Sequence, residues 1–120
     1  MVFTGALSGE ELAILLKGSS MGVFPTLYEG FCFPMVESMA CGIPTIASNV
    51  SCLPEVSGGV LRYFDPMSTE DMADAIEKVL NDTAERGRMV SAGLARAAQF
   101  SWRKTAEETL DVLAEAARRR

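Results

Sequence analysis

Apolar residues fall along this chain in two kinds of run: short unbroken ones, and longer ones spaced as on one face of a helix. Met21-Gly22-Val23-Phe24, Thr45-Ile46-Ala47 and Val60-Leu61-Arg62-Tyr63-Phe64 do not alternate with polar residues. That pattern predicts strands covered on both faces. Pro44 can open the second of them but could not sit in its middle. Val2-Phe3-Thr4, β-prone and followed by Gly5, reads as a fourth strand. Between the strands lie helix signals. Ser8 with Glu11 forms a capping box for a helix through Leu12, Leu15 and Leu16, ended by Gly18. Pro34 suits the first turn of a helix carrying Met35, Val36, Met39 and Ala40, and Gly42 stops it. Leu53-Pro54-Glu55-Val56 is a loop or one helical turn before Gly58-Gly59.

The second half is helical. Ser68 and Asp71 cap a helix whose Met72, Ala73, Ile76, Val79 and Leu80 form one stripe. Residues 84–98 are Ala/Arg-rich and read as helix despite Gly87 and Gly93. Ser101 starts a last helix through Leu110, Val112 and Leu113 to Arg118-Arg119-Arg120. Strands alternating with helices long enough for parallel crossovers predict an α/β fold. The expectation is a Rossmann-like open parallel sheet with flanking helices, one domain over residues 1–120, with C-terminal helices over about 84–120. No repeat or linker divides it.

Composition narrows the function. The chain has 120 residues, 48% hydrophobic and 22% charged, as a globular domain requires. Its net charge of −5 argues against general nucleic-acid binding, which needs a basic face. No apolar stretch reaches the ~18 residues of a membrane-spanning helix, and no leader pattern opens the chain. Histidine is absent, and Cys32, Cys41 and Cys52 form no CxxC pair. A zinc site and a histidine general base within this chain are therefore not expected. The unpatterned cysteines fit a reducing, cytoplasmic setting as small hydrophobes. The methionines, Met67 and Met72 among them, read as core filler. The terminal arginines read as a solvated tail; the other reading is contact with an anionic membrane, worth about 1 kcal/mol per basic residue.

Candidate chemistry gathers in Pro25-Thr26-Leu27-Tyr28-Glu29-Gly30-Phe31-Cys32-Phe33-Pro34-Met35-Val36-Glu37. Ligands of open parallel sheets bind beyond the carboxyl ends of the strands, where this loop lies. Gly30 lets the backbone turn and approach a ligand closely. The Phe31, Cys32 and Phe33 amides precede a helix start, where free N–H groups and the helix dipole favour an anion; the dipole alone contributes about 0.3–1 kcal/mol. Glu29 on the loop and Glu37 about one turn into the helix are strong acceptors for sugar hydroxyls. Two acids and several amides can read a phosphate with sugars on both sides. The same acids also fit a bland reading as solvated helix-flanking charges. Glycine-rich dinucleotide and P-loop fingerprints are absent.

This stretch resembles the donor-binding signature of the retaining GT-B glycosyltransferases of the family-4 type, usually P-S-x-x-E-G-F-G-x-P-x-x-E-A-M-A-C-G-x-P-V-x-A. Residues 25–47 follow that pattern. The similarity continues through Leu53-Pro54-Glu55-Val56, Phe64-Asp65-Pro66 and Phe100-Ser101-Trp102. The resemblance implies a partial C-terminal domain of a GT-B fold. It implies a catalytic-site role for Glu29 beside the transferred sugar. It implies donor binding by the loop of Gly30, Phe31, Cys32 and Phe33 at sugar and diphosphate, and by Glu37 at the ribose hydroxyls. The implied reaction moves a hexosyl group from a nucleotide-diphosphate sugar to an acceptor with retention, without a metal or other cofactor.

Two departures stand out. Cys32 occupies a usual glycine, so either the loop keeps φ < 0 there or donor binding is altered. Ser51-Cys52 replaces a common Gly-Gly and stiffens its loop. The family's N-terminal acceptor domain, and the arginine and lysine that neutralise the diphosphate, have no counterpart here; Lys17 and Arg62 do not match their positions. The expectation is a fragment inactive alone, completed by the missing acceptor-binding domain, with peripheral membrane contact open to the full-length protein. The alternative is a non-catalytic sugar-nucleotide binding module acting with a separate partner chain.

Overall fold

The computed structural model describes residues 1–119. In chain order the elements are α1 (Gly9–Lys17), β1 (Gly22–Phe24), α2 (Phe33–Ala40), β2 (Thr45–Ser48), α3 (Leu53–Ser57), β3 (Arg62–Phe64), α4 (Thr69–Asn81), α5 (Thr83–Ala97) and α6 (Trp102–Arg118). The strands form one parallel sheet in the order β1-β2-β3. Gly22 lies opposite Thr45 and Ile46 opposite Arg62.

Local sequence explains the helix starts. The Ser8 hydroxyl accepts from Glu11 N at 3.3 Å while the Glu11 carboxylate accepts from Ser8 N at 2.8 Å, closing the capping box. Ser68 caps α4 through Asp71 N at 3.1 Å, and Ser101 caps α6 through Lys104 N at 3.1 Å. Asp82 breaks the helical path and accepts from Glu85 N at 2.8 Å, which separates α4 from α5.

Period-2 geometry sends neighbouring residues of β2 to opposite faces of the sheet. Ile46 packs with Phe64, Ala75, Val79 and Met89 beneath α4 and the start of α5. Ala47 packs with Met35, Met39, Leu53, Val56 and Ala97 beneath α2, α3 and the end of α5. All of β2 is buried, as its unbroken apolar run requires. Between α2 and the start of β2, the Ser38 and Thr45 hydroxyls meet at 2.8 Å, and Thr45 donates onward to the Ile43 carbonyl at 3.1 Å. Arg62 on β3 makes a bidentate pair with Glu85 on α5, its Nη2 2.7 Å from Oε1 and 2.9 Å from Oε2.

Three expectations need correction. Val2-Phe3-Thr4 is not a strand: Val2 and Phe3 are 86% and 88% exposed, and the sheet has three strands among the described residues. Three residues gain little from pairing alone, and the connecting α1 buries no residue that would hold them against the sheet. Met67 is not core filler; it is 79% exposed in the turn before α4, while Met35, Met39 and Met89 are buried. The third strand is shorter than its apolar run, because Val60 and Leu61 pack ahead of the paired residues. α6 buries no residue either, and the last arginine, Arg120, lies outside the described residues. Among the described residues no helix is long and apolar enough to cross a membrane.

Candidate functional site

The loops after β1 and β2 meet at the carboxyl rim of the sheet. Ser48, the last residue of β2, donates its hydroxyl to the Thr26 carbonyl at 2.5 Å and draws the first loop over the strand ends. Further along, the second loop grips Glu29. Glu29 N donates to Ser51 Oγ at 3.2 Å, while Ser51 Oγ and Cys52 Sγ approach the Glu29 carbonyl at 2.7 and 3.1 Å.

The first loop turns at Cys32. Its φ of 65° and ψ of 65° are left-handed, so the backbone keeps the conformation that glycine adopts at no cost, in spite of the side chain. Burial compensates: Cys32 is 3% exposed and packs with Met35 and Leu53. Burial also pushes its thiol pKa up. A hydrogen bond from the Met35 amide opposes that shift, and the neighbouring Glu29 and Cys52 reinforce it. Gly30 is not in the left-handed region, and a Cβ built there would meet nothing within 4 Å. The turn is thus made by Cys32, while Gly30 leaves open space beside the loop.

Cys32 is the N-cap of α2 and supplies no side-chain cap. Among the described residues the N–H groups of Phe31, Cys32 and Phe33 donate no hydrogen bond within the protein. They remain available at the positive end of the helix. Phe31, Phe33, Val36 and Glu37 line one side of a groove of about 550 Å³, faced by Phe100 and Trp102. The rings interlock: Phe31 meets Phe33 at 4.8 Å and Phe100 edge-on at 5.3 Å, and Phe33 stacks on Trp102 at 5.8 Å. Trp102 stays 76% exposed, its ring stacked on Phe33 rather than buried in the core.

The structure therefore brings Phe31, Phe33 and Glu37 together in the groove, and leaves Glu29, Gly30 and Cys32 on the adjoining loop. Arg62 is committed to Glu85. Arg96 is committed to the Val56 carbonyl at 2.9 Å, the Glu55 carbonyl at 3.1 Å and the Gln99 amide oxygen at 2.6 Å. The Arg96 guanidinium also lies over the Phe100 ring, 4.9 Å from its centroid. Sequence reasoning missed Ser48 at this rim, and it singled out Phe100 only as part of the Phe100-Ser101-Trp102 likeness. It singled out Ser51-Cys52 only as a departure from Gly-Gly, since a contact across 22 residues leaves no local signal.

Comparison with known proteins gives this rim its context. The profile described as Glycosyl transferases group 1 matches residues 1–96. The chain belongs to the glycosyl transferases group 1 family. It is 38% identical over 111 residues to the serotype-specific mannosyltransferase WbdA of Escherichia coli, covering 92% of this chain and 14% of that protein. It is 37% identical over 113 residues to the MMP alpha-(1->4)-mannosyltransferase of Mycolicibacterium hassiacum, covering 91% of this chain and 28% of the relative. Among solved structures, sucrose-phosphate synthase from Thermosynechococcus elongatus superposes with a TM-score of 0.88 at 28% identity, over 99% of this chain and 31% of that one. This glycosyltransferase-family chain thus has the Rossmann-like sheet of a GT-B enzyme, and it spans less than a third of the proteins it resembles here.

Proposed function

We propose that the chain forms the donor-binding wall of a hexosyltransferase that takes its sugar from a nucleotide-diphosphate donor and retains the anomeric configuration. Glu29 lies beside the transferred sugar and accepts from its hydroxyls. Glu37 holds the ribose hydroxyls. The Phe31, Cys32 and Phe33 amides meet the diphosphate, and the open side of Gly30 admits it. The observation that carries this reading is the left-handed turn at Cys32, which leaves three free amides at the start of α2 between the two acids. A hydrogen bond to a charged group contributes about 1.5–3 kcal/mol, so these amides and acids could supply most of a weak donor site.

The diphosphate charge needs more than amides. With Arg62 and Arg96 committed elsewhere, we infer that a second domain supplies the cations and the acceptor wall, and that residues 1–120 alone do not turn over. The absence of a metal from the reaction is proposed on the family resemblance.

The test is nitrogen-15 NMR titration of the chain with GDP-mannose, UDP-glucose and free mannose. At least one nucleotide sugar should shift the Phe31, Cys32 and Phe33 amides, and mannose alone should not. Glu37→Ala should weaken nucleotide binding about tenfold, as loss of a charge-assisted hydrogen bond predicts. In an enzyme carrying both walls, Glu29→Ala should mainly lower turnover. Unmoved amides with every nucleotide sugar would refute the donor site, and turnover by residues 1–120 alone would refute the two-wall reading.

A further inference from the structure

We infer that Ser51 is a positioning residue for Glu29; the inference rests on the donor-site reading above. Ser51 uses both functions of its hydroxyl on one residue. It accepts from the Glu29 amide at 3.2 Å and donates to the Glu29 carbonyl at 2.7 Å. The Cys52 thiol donates to the second lone pair of that carbonyl at 3.1 Å. Both backbone polar groups of Glu29 are thereby held by the β2–α3 loop, while its carboxylate makes no hydrogen bond among the described residues. The arrangement fixes the main chain and leaves the acid free for a ligand.

Strain marks the same place. Among the described residues, the non-glycine residues with positive φ are Cys32 and Ser51, at 65° and 58°. They flank Glu29 from the two loops. Glycine at 51 would adopt this backbone without strain but would have no hydroxyl to offer. Strain held at a residue that touches a candidate site is a pointer to function when the strained side chain itself does the holding. Ser51 does so across 22 residues, from an exposed position where burial cannot account for it.

A brace that served stability alone would make Ser51→Gly lower the melting temperature, because the loss of its two hydrogen bonds to Glu29 would then outweigh the relief of φ. Three readouts on the 120-residue chain separate the cases. In Ser51→Gly, hydrogen exchange at the Glu29 amide should quicken about tenfold, as expected when a local hydrogen bond is lost. The affinity ratio of GDP-mannose to GDP should fall at least about fivefold, while GDP itself changes less than about twofold. The melting temperature should hold or rise. Cys52→Ala should give a smaller loss of the sugar increment, and Cys52→Ser should restore it. Unchanged exchange at Glu29 overturns the clamp. Intact GDP-mannose preference in Ser51→Gly overturns the positioning role and leaves the donor site standing. Absence of GDP-mannose binding in the unmodified chain, with UDP-glucose also unbound, overturns the donor site and the positioning role with it.

Discussion

Gly22→Ala is expected to destabilise the fold through a single contact. Gly22 opens β1 and faces Ser38 of α2, with a Cβ built there only 2.4 Å from Ser38 Oγ, 3.1 Å from Phe24 Cε2 and 3.3 Å from Ser38 Cβ. The hydroxyl cannot simply rotate away, because it is buried and paired with Thr45 Oγ1 at 2.8 Å. Overpacking a tight core site costs about 1–3 kcal/mol, and displacing a buried hydroxyl from its partner adds about 1 kcal/mol. The sum is a loss of about 2–4 kcal/mol. Ser38→Ala alone should cost only about 1 kcal/mol, since Thr45 keeps its bond to the Ile43 carbonyl at 3.1 Å. With Ser38 replaced by alanine the 2.4 Å clash disappears and the 3.1 and 3.3 Å contacts remain, so Gly22→Ala should then cost about 1 kcal/mol. Urea denaturation of the four proteins closes a double-mutant cycle with a coupling of about 1–3 kcal/mol. Strict additivity, or a harmless Gly22→Ala, would show that the Ser38–Thr45 pair does not set the distance between β1 and α2. That distance also sets where α2 presents Glu37.

Three other outcomes are expected. Gly87→Ala, inside α5 with nothing within 4 Å of the new methyl, should stabilise by about 1 kcal/mol and raise the melting temperature by about 4 °C; no gain would mean that α5 is not helical there in solution. Arg62→Met keeps the apolar stem but strands the half-buried Glu85, costing about 1–2 kcal/mol in denaturation, a difference that should shrink in 0.5–1 M salt by about half; a cost insensitive to salt would point to packing instead. The raised Cys32 thiol pKa makes its stability term fully present below the unfolded thiol value of about 8.5 and lost as pH rises through the folded one. Unfolding free energy should therefore fall above about pH 9, and Cys32→Ala should flatten that slope. An unchanged slope in Cys32→Ala would reject burial of this thiol as the cause.

Local chemistry made much of this fold legible in the sequence. Capping hydroxyls at Ser8, Ser68 and Ser101 act within three residues, and the unbroken apolar runs at β1 and β2 need both sheet faces covered whatever lies above them. The order strand, loop, proline-started helix placed Glu29 and Glu37 at the sheet's carboxyl rim. Val2-Phe3-Thr4 shows the limit. Its β propensity was real but no packed partner held it, because a strand exists only with a neighbour. Tertiary structure alone decided that Cys32 keeps a glycine-like turn, since burial on the far side of the loop offsets the strain. It alone joined Ser51 and Cys52 to Glu29, paired Arg62 with Glu85, and tied Arg96 to the Val56 and Glu55 carbonyls. Those contacts span 22 to 41 residues, and a hydrogen bond between distant segments depends on how two loops are brought together, which no single stretch of sequence encodes.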